Sequence, residues 1–122
     1  MKYADSHEWI ELEEKQQAIV GISQFAQKEL GDIVFVELPT VGKEVIAGQE
    51  IAVLESTKSA ADIYSPVSGK ILSVNEDLLK SPELVNQFPE NKGWIFKIQL
   101  SQPAELDQLM DFQAYQDMLN GA

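Results

Sequence analysis

The chain has 122 residues, 44% of them apolar and 24% charged, a mixture that suits one globular core and not a disordered polyelectrolyte. Its formal charge is −11, and all nine basic residues are lysines. Proteins that neutralise phosphates concentrate lysine and arginine, so nucleic acid and anionic membranes are discounted as partners. With no cysteine and His7 as the only histidine, disulfides, thiolate catalysis and Cys- or His-cluster metal sites are excluded.

The segment Met1–His7 has no apolar core of the kind a signal peptide carries, and no apolar run approaches membrane length. A cytoplasmic protein is the expectation, or one in the mitochondrial matrix if a transit peptide has been removed. The acidity serves solubility first. Its second reading is electrostatic steering toward partners with basic patches.

In chain order, Glu8–Leu12 alternates and reads as a strand with Glu8, Ile10 and Leu12 on one face. Residues Ala18–Ile22 form a second strand, joined to the first by a hairpin through the polar stretch Glu13–Gln17. A short helix follows, capped by Ser23, ending at Gly31 and making contacts through Phe25, Ala26 and Leu30. Asp32–Leu38 is β-branched and aromatic, hence a strand, stopped by Pro39 and Gly42.

Gly48–Glu55 then aligns with Gly69–Glu76, with identity at Gly48/Gly69, Val53/Val74 and Glu55/Glu76. Two copies are too few for a solenoid and fit a β-sandwich or flattened barrel with an internal pseudo-twofold. Between the copies, strand-like residues flank Ser56-Thr57-Lys58-Ser59, which predicts a hairpin with Lys58 at its tip. No Asn-Gly or Asp-Gly pair specifies the turn type. Ser65–Gly69 is turn chemistry. Ser81-Pro82 opens a short helix over Glu83–Asn86. Trp94, Phe96, Ile98 and Leu100 alternate as a last strand buried on one side. Two C-terminal helices are expected at about 103–120, the first with Leu106, Leu109 and Met110 on its face, the second capped by Asp111 with Phe112, Tyr115 and Leu119 on its face. No linker divides residues 1–122, so one domain is expected.

No enzyme constellation emerges. The seven glycines are dispersed and match neither a P-loop nor a dinucleotide fingerprint, and no nucleophile sits beside the lone histidine in a distinctive motif. A lysine at a hairpin tip is by itself most simply a solvated turn residue. Its surroundings change that reading. Glu55-Ser56-Thr57-Lys58-Ser59-Ala60-Ala61-Asp62-Ile63-Tyr64-Ser65-Pro66-Val67-Ser68-Gly69 closely resembles the lipoyl-attachment segment of glycine cleavage H proteins. Ser6-His7-Glu8-Trp9, Val20–Ser23, Leu30–Pro39, Ser81–Asn86 and Gly93–Ile98 resemble the rest of that family, in order, over most of the chain. Two positions depart from it: Thr57 where the family commonly has Val, and Ala61 where it often has Ser.

The resemblance implies a mainly β fold, the flattened lipoyl-type barrel-sandwich hybrid with short peripheral and C-terminal helices. It implies lipoate carried covalently on Lys58 by a monomeric, non-catalytic carrier, with Glu55, Ser56, Thr57 and Ser59 as the context of attachment. The arm would accept an aminomethyl group from a pyridoxal-phosphate glycine decarboxylase. It would pass the carbon to a tetrahydrofolate-dependent aminomethyltransferase and be reoxidised by a dihydrolipoamide dehydrogenase. A lipoate ligase or an octanoyl/lipoyl transferase would install it. The loaded arm would fold into a cleft whose polar contacts match Ser6, Glu8 and Asp62. Ser6 and Glu8, two apart, share a side of an extended chain. The bland readings are turn or edge polar groups for Ser6 and Asp62 and a solvated strand residue for Glu8. His7 is read as a surface residue, and Trp9 and Trp94 as core or rim packing.

Three other carriers compete. A 2-oxoacid dehydrogenase lipoyl domain would lack the Ser-His-Glu-Trp segment and the terminal helices. A biotin carrier usually brackets its lysine with methionines, where this chain has Thr57 and Ser59. An H-like lipoate store or relay would keep every motif without serving glycine cleavage. From a different class, an unmodified binding module is the fourth alternative.

Overall fold

The computed structural model describes residues 1–121. Its strands are β1 (Lys2–Tyr3), β2 (Glu8–Leu12), β3 (Gln17–Ile22), β4 (Ile33–Glu37), β5 (Glu44–Val45), β6 (Glu50–Ser56), β7 (Ala60–Tyr64), β8 (Gly69–Val74) and β9 (Phe96–Leu100). The α-helices are α1 (Gln24–Leu30), α2 (Asp77–Lys80), α3 (Leu84–Gln87) and α4 (Phe112–Leu119). Short 3-10 segments lie at Glu14–Gln16 and Pro103–Gln108.

All strand pairings are antiparallel, in a six-stranded sheet of order β1-β2-β3-β9-β8-β5 and a three-stranded sheet of order β4-β6-β7. The sheets do not join into a closed barrel; they sandwich one core, the flattened barrel-sandwich expected from the sequence. Period-two alternation supplies that core: Ile10, Val20, Ile71, Phe96 and Ile98 from the larger sheet meet Val36, Leu54 and Ile63 from the smaller. The repeat copies fall one in each sheet, as β6 and β8.

A second cluster lies on the other side of β2. Trp9 points there and packs with Tyr3 and Tyr115, so α4 covers the outer face of the larger sheet. Directly across the ladder from Trp9 stands Gly21. A Cβ there would sit 2.8 Å from the indole ring, so glycine is what lets the ring lie flat on β3.

Local chemistry explains the helix ends. Ser23 Oγ accepts from Ala26 N at 3.2 Å, and Asp111 Oδ1 accepts from Ala114 N at 2.8 Å, each capping a helix. Three expectations need correction, and one helix lies outside them. Leu12 is 53% exposed because β2 runs past the edge of the core before the turn at Glu13. The helix expected to carry Leu109 and Met110 stops at Gln108; Met110 instead exchanges backbone hydrogen bonds with Tyr3, extending the sheet edge. Phe112, expected on the buried face of the last helix, is 58% exposed and touches the cluster only at the edge of Tyr3, because the inward-facing position is taken by Tyr115. Helix α2 was not anticipated; its single buried anchor is Leu78. Among the described residues no helix is long and apolar enough to cross a membrane.

Candidate functional site

Strands β6 and β7 are joined by Ser56-Thr57-Lys58-Ser59, and the turn is made by a side chain. Ser56 N donates to Ser59 O at 2.7 Å, while Ser56 Oγ accepts from the N–H groups of Lys58 (3.1 Å) and Ser59 (3.0 Å). A serine hydroxyl folded onto its own turn replaces the glycine chemistry that the sequence lacks. Thr57, Lys58 and Ser59 are exposed, as is Glu55 on β6.

The tip does not project freely. Thr57 N donates to Asp32 O at 3.0 Å, fastening the hairpin to the α1–β4 connection. Lys58 Nζ donates to Glu29 O at 3.3 Å, one of the last-turn carbonyls that a helix leaves unpaired and partly negative. The lysine stem passes over Gly31: a Cβ at that position would stand 2.9 Å from Lys58 Cε. Gly31 has φ 83° and ψ −160°, a backbone that glycine adopts easily and other residues do not. Asn86 holds the connection in place, its Oδ1 accepting from Ile33 N and its Nδ2 donating to Gly31 O, both at 2.8 Å.

Of the three expected cleft residues, the structure brings two together. Ser6 Oγ donates to Glu8 Oε1 at 2.5 Å, and Tyr64 N of β7 donates to Glu8 Oε2 at 3.3 Å. Glu8 is therefore the polar link between the two sheets. It is 1% exposed and not the solvated strand residue of the bland reading. Burial pushes its carboxyl up to about 7, against the hydrogen bonds from Ser6 and Tyr64, which pull it down. Parity along an extended chain is not what pairs Ser6 with Glu8. His7 between them has φ 78°, and its N–H donates to Ala4 O at 3.0 Å, so Ser6 reaches Glu8 across a tight turn. Asp62 lies elsewhere: it is exposed on β7 and lines a groove of about 260 Å³ with Glu37, Lys43 and Glu50. His7, expected at the surface, is half-buried, with its ring against Phe25 and Tyr115.

With this geometry in place, relatives decide the family. The model of the glycine cleavage H-protein family matches residues 1–122. The chain belongs to the glycine cleavage H-protein family. It is 56% identical over 120 residues to a glycine cleavage system H protein of Aeromonas hydrophila, covering 98% of this chain and 93% of that one. A second such protein, from Thermotoga maritima, is 53% identical over 116 residues, covering 95% and 93%. The crystal structure of a glycine cleavage system H protein from Mycobacterium marinum superposes with a TM-score of 0.88 at 33% identity, covering 99% of this chain and 96% of that one.

H proteins are lipoyl-carrying subunits, and the site suits such a group. Lys58 offers an exposed primary amine at a tip fastened to the α1–β4 connection, and the missing side chain at Gly31 leaves room for the lysine stem. Sequence reading missed the roles of Glu29, Gly31, Asp32 and Asn86 at this tip. In the sequence Gly31 reads as a helix end and as part of the Leu30–Pro39 segment, and no local pattern reports that residues 27 positions apart will touch.

Proposed function

We propose that this chain is the lipoyl carrier of a glycine cleavage system, with lipoate amide-linked to Nζ of Lys58. The carrying observation is the placement of that amine: alone at the tip of a two-stranded hairpin, seated on a notch without a side chain, in a member of this family. The exposed tip presents this amine at the end of the smaller sheet, where an enzyme can reach it. A lipoyl group held by Lys58 would supply a dithiolane on a long tether; its partners would be a pyridoxal-phosphate decarboxylase that loads an aminomethyl unit, a tetrahydrofolate-dependent aminomethyltransferase that takes the carbon with release of ammonia, and a dihydrolipoamide dehydrogenase that reoxidises the dithiol. A lipoate ligase or an octanoyl/lipoyl transferase attaches it, reading Glu55, Ser56, Thr57 and Ser59. The chain itself is a carrier subunit and catalyses none of these steps.

Ser6 and Glu8 serve the cargo. Its amine is cationic near neutral pH, and an ammonium leaves water cheaply only when paired. Ser6 lines an open groove with Asp5 and Tyr64, and the Glu8 carboxyl behind it, pushed up to about 7, would ionise when a cation docks there and supply that pairing. One charge-assisted hydrogen bond contributes about 1.5–3 kcal/mol, which favours the docked arm by one to two orders of magnitude. Asp62 lines a separate groove with Glu37, Lys43 and Glu50 and takes no part in this pairing. The relatives named above are bacterial, which suits a cytoplasmic carrier.

Peptide mass mapping after enzymatic lipoylation should place the added mass on Lys58 alone among the nine lysines. Lys58→Arg should keep the fold and abolish glycine–bicarbonate exchange with the decarboxylase. Lipoate on another lysine, or exchange that survives in Lys58→Arg, would overturn the reading.

A further inference from the structure

The C-terminal helix α4 lies on the outer face of the larger sheet, away from the Lys58 hairpin, yet its Tyr115 is 2% exposed and fully engaged. The ring stacks on Tyr3 with centroids 4.4 Å apart and planes 7° from parallel. Its hydroxyl lies 2.6 Å from Ser23 Oγ and 2.8 Å from His7 Nδ1. We infer that Tyr115 is a positioning residue for the Ser6-His7-Glu8 turn, so that α4 sets the geometry of the cargo cleft from outside it. The inference rests on the cleft assigned above to Ser6 and Glu8.

Of the two directions open to these hydroxyls, one runs from Ser23 through Tyr115 to His7 and uses both hydroxyl protons. Ser23 Oγ accepts from Ala26 N, leaving its own proton for Tyr115. Tyr115 then donates to His7 Nδ1, which closes the chain only when that nitrogen is bare, the neutral Nε2–H tautomer. Burial depresses His7 below its ordinary value, against Asp5 and Glu29, which pull the other way. The backbone is clamped as well, Ser23 N donating to His7 O at 2.9 Å.

His7 is held on both sides. Its φ of 78° is a left-handed conformation uncommon outside glycine, which Asn, Asp and His adopt more readily than other residues, and here its ring and its carbonyl are both bonded. The residue before it carries the Ser6 hydroxyl and the residue after it the Glu8 carboxyl, so one constraint on His7 fixes both. Release of His7 lets the turn relax toward ordinary backbone angles, parts Ser6 from Glu8 and admits water to a carboxyl that is now dry.

The test uses Tyr115→Phe, which keeps the stacked ring and removes only the hydroxyl, and reads the Glu8 carboxyl carbon by NMR across a pH series in the unmodified chain. The parent should titrate near 7. In Tyr115→Phe, readmitted water, which reverses the largest cause of the raised value, should lower the midpoint by roughly one unit toward the ordinary carboxylate value, outweighing the rise from the lost Ser6 hydrogen bond, with amide shifts changing at Ser6, His7 and Glu8. Tyr3→Phe is the control: it removes a hydroxyl from the same cluster, the one bonded to Glu90 Oε1 at 2.8 Å, and should leave Glu8 unmoved. His7→Asn keeps the left-handed backbone and places an acceptor near the position of Nδ1, so it should titrate like the parent; His7→Leu should behave like Tyr115→Phe. An unchanged midpoint in Tyr115→Phe, or an equal fall in Tyr3→Phe, would overturn the inference. Because the titration is read without lipoate, its outcome is independent of whether Lys58 is the modified lysine.

Discussion

Lys58 and Gly31 share one small volume: the lysine Cε lies 2.9 Å from the point where a Cβ on residue 31 would stand. The root of the proposed arm therefore rests in a notch that exists only because residue 31 has no side chain, with Glu29 O receiving the amine.

Gly31→Ala should show both consequences. The backbone there has φ 83° and ψ −160°, so a methyl group costs about 1–3 kcal/mol of strain. Urea denaturation should record that loss. The new methyl also displaces the lysine, so NMR contacts between the Lys58 ε-protons and residues 29–31, present in the parent, should vanish.

Glu8→Gln tests the buried carboxyl through the pH dependence of stability. The folded value is about 7 and the ordinary value 4.5, so the folded state holds the proton more tightly than the unfolded chain. Below 4.5 both forms are protonated and the group is neutral in its effect. Between 4.5 and about 7 the unfolded chain ionises first, and stability falls as pH rises. Above that window the loss is constant at roughly 3 kcal/mol. Glutamine cannot ionise, so the stability of the variant relative to the parent should climb across that window and then level off. Denaturation midpoints at pH 4, 5.5, 7 and 8.5 check it; a relative stability independent of pH would show that Glu8 is ionised and well solvated in the folded protein.

Gly21→Ala should destabilise the protein through Trp9. The indole is fixed by its N–H donating to Pro89 O at 2.9 Å, so it cannot retreat from a methyl 2.8 Å away. Overpacking of this kind costs about 1–3 kcal/mol, read as a lower urea midpoint together with altered tryptophan fluorescence.

The charge of −11 should act on rates of encounter. Association with the decarboxylase should slow as ionic strength rises and the Debye length shrinks. Stopped-flow rates flat across a salt series would exclude steering.

Most strands were legible because period-two alternation reports burial residue by residue: Phe96, Ile98 and Leu100 alternate in the sequence and are buried in the structure. The caps at Ser23 and Asp111 were legible for a similar reason, since a side-chain oxygen bonding an N–H three residues on is local chemistry. Met110 failed the same kind of reading, because helical spacing at Leu106, Leu109 and Met110 was outweighed by a backbone partner, Tyr3, at the opposite end of the chain.

By itself the sequence determined the family, the hairpin and the lysine at its tip, because those reside in a contiguous motif and in local patterns of burial and turn chemistry. Only the tertiary structure decided that Glu8 is dry, that Asp62 faces a separate groove, that Gly31 receives the lysine stem and that Tyr115 reaches His7. Each of these depends on which distant segments share a surface once the sheets close on the core. A carboxylate two residues from a serine reads the same in water or in a sandwich; desolvation by β7 and the turn at His7 makes the difference, and neither is encoded within a few residues of Glu8.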